Sequence, residues 1–199
     1  RVESLSGGQR QRAWIAMALA QEPEHNEAAL WVFESIVADT PDDAAAHYAL
    51  GLLALRLDEL GIAERAGRRA ITLAPDQSEY ALLLAGTMIR SGELEESEIA
   101  MAPALAASGD RASLRIGYAR LLIDSGYNDA ARVQMKRALE HDPANAEARQ
   151  MLGLLAIEDG DNEGAYEQFL TLYERGQRRE EAAYYLGRLS EEAGDIEAA

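Results

Sequence analysis

Apolar and small residues recur along most of this chain with a helical spacing inside each segment and a 34-residue spacing between segments. Pro41, Pro75 and Pro143 lie on that grid, each closing a helical pattern, and the two remaining points hold Gly109 and Gln177. Gly51, Gly153 and Gly187 share a second phase, with Ala85 and Ala119 at the points between. Ala63, Ala131, Ala165 and Ala199 share a third, with Ser97 in the remaining slot. A small residue in one helix facing another in the next lets two backbones approach closely, while large neighbours fill the flanks. Leu152, Gly153, Ala165 and Phe169 show that alternation within one segment pair. In "DSGYNDAA" and "EDGDNEGA" the glycines Gly126 and Gly160 are expected to end one helix, with Asn or Asp starting the next. "HDPANAEA" reads as the connection between pairs, because Pro143 bars continuation of the helix.

This pattern resembles the tetratricopeptide repeat, and the resemblance covers residues 23–199. Five repeats end near residues 41, 75, 109, 143 and 177, and a partial sixth occupies residues 180–199. The resemblance implies an all-α helix-turn-helix solenoid, coiled as a right-handed superhelix with the first helix of each repeat on the inside. A partial last repeat is expected to leave an apolar face with nothing stacked on it. The solenoid is therefore expected to be truncated at its C-terminal end and to continue in the natural protein, or to be covered there by a partner. Self-association through that end is expected otherwise. A start at Arg1 rather than methionine points to an N-terminus other than the natural one.

Charge narrows the range of partners. The chain carries 35 acidic and 19 basic residues, a net charge of −16, and its only lysine is Lys136. Such a surface repels phosphate backbones, which argues against nucleic acid, and favours basic or neutral partners. Without cysteine there is no disulfide framework and no thiolate metal site. His25, His47 and His141 lie far apart in sequence and are expected as surface or loop residues; no metal and no cofactor is expected. The longest apolar run, "YALGLLALRL", breaks at Arg56, too short for a transmembrane segment.

The opening stretch has another character. "LSGGQRQR" followed by "AWIAMALAQE" resembles the signature motif of ATP-binding-cassette ATPases, in particular those of ferric-siderophore importers. That resemblance implies that Ser6, Gly7, Gly8 and Gln9 contact the γ-phosphate of ATP at a helix N-terminus. The rest of the machine is missing. No G-x-x-x-x-G-K-[ST] loop occurs, and the acidic pair Asp58–Glu59 in "LALRLDEL" stands too far along to serve as the metal-binding strand end. Two readings of residues 1–22 follow. One is an ATPase fragment lending a signature motif to ATP binding, the other the first helix of repeat one. In the second reading Gln11–Glu22 supply that helix through Trp14, Met17 and Ala20, opposite Phe33 and Ile36. A junction between unrelated pieces is expected near Glu22–Pro23.

Within the repeats, the first helices carry two columns of positions seven residues apart, apolar at all but one. These are Tyr48 and Leu55, Leu82 and Ile89, Ile116 and Ile123, then Gln150 and Ile157, with Leu52 and Leu154 between the columns. Such a stripe suits a peptide laid along a groove, and equally suits burial against neighbouring repeats. Arg56 and Arg90 share one inner position and Arg120 and Arg188 another, where they could receive peptide carboxylates or pair with local glutamates. The asparagine slots of the chaperone-tail clamp hold Leu52, Gly86 and Arg120, which argues against that ligand. From "LLALRLDELGIAERAGRRAI" to "YYLGRLSEEAGDIEAA" the texture is similar to long tetratricopeptide lipoproteins of Gram-negative bacteria of the LbcA type. That similarity implies a non-enzymatic scaffold or adaptor at the periplasmic face of the outer membrane. Its partners would be a carboxyl-terminal processing protease or the substrates of that protease.

Overall fold

The computed structural model describes residues 23–107, 109, 111–192 and 194. A 3-10 turn, Pro23–His25, leads into ten α-helices: α1 (Asn26–Asp39), α2 (Ala44–Arg56), α3 (Leu60–Leu73), α4 (Ser78–Arg90), α5 (Leu94–Ala107), α6 (Ala112–Asp124), α7 (Asn128–His141), α8 (Ala146–Glu158), α9 (Asn162–Glu174) and α10 (Arg179–Glu192). No strand occurs among the described residues. This is the helix-turn-helix order that the 34-residue grid calls for. The first-helix assignment for Gln11–Glu22 and the signature-motif residues lie outside the described residues. None of the described helices is long and apolar enough to cross a membrane.

The helices divide into two compact units, α1–α5 within Arg1–Gly109 and α6–α10 within Asp110–Ala199. In the first unit each helix packs on the next, and α2 also touches α4, as first helices of successive repeats should. Its core gathers Phe33 and Ile36 of α1, Leu50 and Leu53 of α2, and Ala63 and Ala66 of α3. In the second unit successive helices again pack on one another, and Phe169 and Leu172 of α9 meet Ala182 and Leu189 of α10.

The turns show why the grid holds. At Gly160 the chain takes φ +75°, and the N–H groups of Gly160 and Asp161 donate back to Ile157 and Ala156 at 3.0 and 2.8 Å. Those bonds satisfy the end of α8 in a Schellman arrangement, and the Asp161 carboxylate then accepts the Gly164 N–H at 2.9 Å to start α9. At the equivalent start of α7 the cap position is Tyr127, which supplies no side-chain bond. Asp58 stands where later repeats have Gly92, Gly126 and Gly160, and it adopts the same left-handed conformation at φ +64°. Pro103 falls inside α5, a placement that the grid of helix-ending prolines does not anticipate.

One sequence expectation fails. His47 is not a surface or loop histidine: it lies buried in α2, with Nε2 3.0 Å from the Pro41 carbonyl. An imidazole can sit there because the preceding turn offers it a backbone partner.

The small-residue phases are occupied as the packing argument requires. Ala63, Ser97, Ala131 and Ala165 have no exposed surface, and neither do Ala85 and Ala119. The glycines of the other phase differ from one another. A Cβ built on Gly153 would lie 2.8 Å from Cε2 of Phe169, a ring that is fully buried and stacked on Tyr185 at 4.5 Å. A Cβ on Gly51 would meet the flexible end of Leu83 at 2.6 Å, whereas one on Gly187 would meet nothing within 4 Å. Replacing each by alanine is therefore expected to give three outcomes in urea unfolding followed by helical circular dichroism. Gly153→Ala should destabilise by about 1–3 kcal/mol through overpacking. Gly187→Ala should stabilise by about 0.5–1 kcal/mol through helix propensity. Gly51→Ala should fall between them, because Leu83 can turn away. Equal effects at all three would refute the close-approach account.

Candidate functional site

The first-helix faces are described one unit at a time. In the first unit, α2 and α4 carry Tyr48, Leu52, Leu55, Leu82 and Ile89. Leu52 is 44% exposed, Tyr48, Leu55 and Leu82 are half-buried, and Ile89 is buried at 2%. In the second unit Ile116 of α6 is buried at 4%, while Ile123 of α6 and Gln150, Leu154 and Ile157 of α8 are half-buried. The stripe therefore splits. Ile89 and Ile116 serve as core, and the other apolar members keep some surface for a ligand.

The four arginines are engaged locally to different degrees. Arg90 donates from Nη1 to the Leu55 carbonyl at 2.5 Å and from Nη2 to Asp58 at 2.6 Å, so it closes the end of the preceding first helix. Arg120 pairs with Glu147. Arg188 pairs with Glu192 at 3.1 Å along its own helix, and Arg56 ends α2 in an exposed position. At Arg90, Arg120 and Arg188 a peptide carboxylate would compete with one supplied by the chain.

Arginines elsewhere do similar work between repeats. Arg69 of α3 reaches the Pro41 carbonyl through Nη2 at 3.3 Å and Asp42 at 2.8 Å. In the second unit Arg132 of α7 donates to the Leu155 carbonyl at 3.1 Å and pairs with Asp159. Arg175 donates to Pro143 at 2.6 Å, and Gln177 donates to Ala144 at 2.8 Å. Among the described residues no group of three or more acidic or histidine side chains is placed to hold a metal ion.

A tyrosine pair was not singled out by the sequence pattern. Tyr80 of α4 is 8% exposed and packs on Tyr48 of α2 with ring centroids 4.8 Å apart. Its signal lay in the grid: Tyr80 occupies the phase that holds Ala46, Leu114, Ala148 and Ala182 in the other repeats. Burial pushes the Tyr80 phenol above its ordinary range, with further upward pressure from Glu79, Asp43 and Asp76. Burial does the same to Tyr48, followed by Glu79 and Tyr80. A phenol with a raised folded-state pKa favours folding while it stays neutral. That contribution is complete below the unfolded value near 10 and is lost as pH rises through the folded value. Absorbance titration at 295 nm should thus show late-ionising tyrosines that disappear in the Tyr48→Phe, Tyr80→Phe variant. Stability should fall more steeply above about pH 10 in the wild type than in that variant.

No family model matches the sequence, and no curated protein matches it either. Solved structures do match. A type IV pilus biogenesis factor, PilW, is similar at 17% identity, with a TM-score of 0.61 over 98% of this chain and 90% of that one. TTC0263, a thermophilic tetratricopeptide protein of Thermus thermophilus, is 20% identical with a TM-score of 0.55, over 91% of this chain and 98% of that one. YrrB, a tetratricopeptide protein described as having an unusual peptide-binding site, is 17% identical with a TM-score of 0.51, over 82% and 84% of the two chains. With the ten helices of the described residues in the order the 34-residue grid requires, the chain has the all-α fold of a tetratricopeptide-repeat solenoid.

Proposed function

We propose that this chain is a non-enzymatic interaction scaffold that binds a peptide or protein segment along the first-helix faces of its repeats. The observation that carries the reading is Leu52, 44% exposed on a face it shares with Tyr48, Leu55 and Leu82. A leucine held out on a rigid helix, among half-buried apolar neighbours, is a ready contact for an extended or helical peptide. Leu154 and Ile157 offer a second such face in the other unit. The description of YrrB as a tetratricopeptide protein with a peptide-binding site supports the use of this fold for a ligand of that kind. In its narrower form the proposal follows the resemblance to LbcA-type lipoproteins. The scaffold is then an adaptor in the Gram-negative periplasm, and its partner a carboxyl-terminal processing protease or a substrate of one.

The test is capture from a Gram-negative periplasmic extract, with the purified protease as a defined second bait. Replacing Leu52, Leu82 and Leu154 by glutamate should reduce capture at least about tenfold, the cost of placing charges against an apolar ligand. Far-ultraviolet circular dichroism should stay unchanged, since none of the three is a buried core residue. Undiminished capture by the triple variant would remove the first-helix faces from consideration. Binding of other periplasmic proteins but not the protease would refute only the narrower form.

A further inference from the structure

A proline carbonyl in the turn before a first helix is met by two side chains in each unit, and the two turns differ by one carboxylate. In the first unit the Pro41 carbonyl lies 3.0 Å from His47 Nε2 and accepts from Arg69 Nη2 at 3.3 Å, and Arg69 pairs with Asp42 at 2.8 Å. In the second unit the Pro143 carbonyl accepts from Arg149 Nη2 at 3.0 Å and from Nη1 of Arg175, the C-cap of α9, at 2.6 Å. On the 34-residue grid Arg149 shares the phase of His47, and Ala144 shares the phase of Asp42. The carboxylate that neutralises the first turn is therefore missing from the second.

Two guanidiniums thus converge on one carbonyl oxygen, and neither forms an ion pair among the described residues. Arg69, Arg90 and Arg132, which also bridge repeats, each have a carboxylate of their own in Asp42, Asp58 and Asp159. Asp142, beside Pro143 in sequence, is taken up by the Ala144 N–H at 3.2 Å and Asn145 Nδ2 at 3.0 Å. Arg149 reaches only Gln168 with Nη1, at 3.4 Å, and its Nε is buried without an acceptor. Burial, then the charge of Arg175, holds the Arg149 guanidinium below its ordinary range, against an upward pull from Glu167. Pro143, Ala144 and Arg175 are exposed, so the turn is open to a ligand. A neutral carbonyl offsets little of the repulsion between two cations, whereas a carboxylate can accept from both.

We propose that the Pro143–Ala144 turn binds a carboxylate of a bound peptide, which Arg175 and Arg149 hold in the place that Asp42 fills in the first unit. The net charge of −16 keeps polyanions away, so a single carboxylate is favoured over a chain of phosphates. The assignment rests on the peptide-scaffold reading above and specifies the chemistry of its ligand.

The probe is a glycine-serine peptide with one central glutamate, acetylated and amidated, beside its glutamine counterpart and a glutamine peptide with a free C-terminus. Binding is read by nuclear magnetic resonance at the arginine Nε–H signals of the full chain, at physiological ionic strength. Arg175→Gln and, separately, Ala144→Asp should each weaken the glutamate peptide about tenfold. The first removes a donor, and the second fills the place with a carboxylate of the chain's own. Arg65→Gln changes the net charge by the same amount at an exposed position of α3 and should alter binding less than about twofold. Binding of the free-terminus peptide with the same dependence on Arg175 and Ala144 would support the proposal and make a chain end the source of the carboxylate. Equal binding of the capped glutamine peptide would overturn the proposal, and so would equal weakening by Arg65→Gln, the sign of a diffuse field. Inorganic phosphate displacing the peptide at equal concentration would overturn the assignment to a carboxylate. If Arg175→Gln loses helicity, Ala144→Asp, which leaves both arginines in place, decides alone. Unchanged glutamate-peptide binding in the turn variants, with partner capture lost in the leucine variants, sinks this site and leaves the scaffold standing.

Discussion

The distance at which two helix backbones can pass is the constraint that organises this molecule, and side-chain size is adjusted around it repeat by repeat. Where the first helix has Gly153, the second places the rigid ring of Phe169 against it. Where the first helix has Ala85 or Ala119, the same second-helix position holds a fully or nearly fully buried methionine, Met101 or Met135. A thioether chain can bend around one methyl group, and a phenyl ring cannot. In the second repeat both positions are glycine, Gly51 and Gly67, and the space is taken by Leu83 and Leu84 from the following helix. One packing volume is thus filled by different routes, as dense interiors require.

Arginine, rather than lysine, stitches the repeats together. A guanidinium can serve a carbonyl and a carboxylate at once, as Arg90 does with Leu55 and Asp58 and Arg132 does with Leu155 and Asp159. An ammonium offers no comparable planar fork. The near-absence of lysine in so acidic a chain has a structural sense in these contacts: the arginines close helix ends, and the unmatched carboxylates are left for solvent and partners. Exposed pairs of this kind contribute little individually, but those onto backbone carbonyls also relieve unpaired acceptors at helix ends.

The repeat period was legible because small residues and turn formers are dictated by backbone geometry, which a single chain displays several times over. Gly126 and Gly160 adopt the left-handed conformation expected of helix-ending residues, and Ala165 is as buried as its grid position implies. The binding face was legible only in part. Heptad spacing identifies which side chains point the same way, but not which of them a neighbouring helix covers. That is why Leu52 is open while Ile89 and Ile116 are core. His47 escaped for a related reason, since the Pro41 carbonyl that accommodates it belongs to a turn and not to the helical pattern. Tyr80 departs from its phase in a position where a repeat-averaged reading smooths the difference away.

The pairing of Gly153 with Phe169 has a consequence for how such a chain can be rearranged. The repeats look interchangeable on paper, but the tight contact is made between the two helices of one hairpin, and its partners are matched in size. A chimera cut between hairpins keeps the Gly153–Phe169 pair intact, although such a cut between α3 and α4 would part Gly51 and Gly67 from Leu83 and Leu84. One cut inside a hairpin can set the phenyl ring against an alanine taken from another repeat. At Gly153 the module that must travel together is the hairpin, at Gly51 and Gly67 it extends into the next one, and recombination that respects the 34-residue period can still fail if it starts in the wrong place.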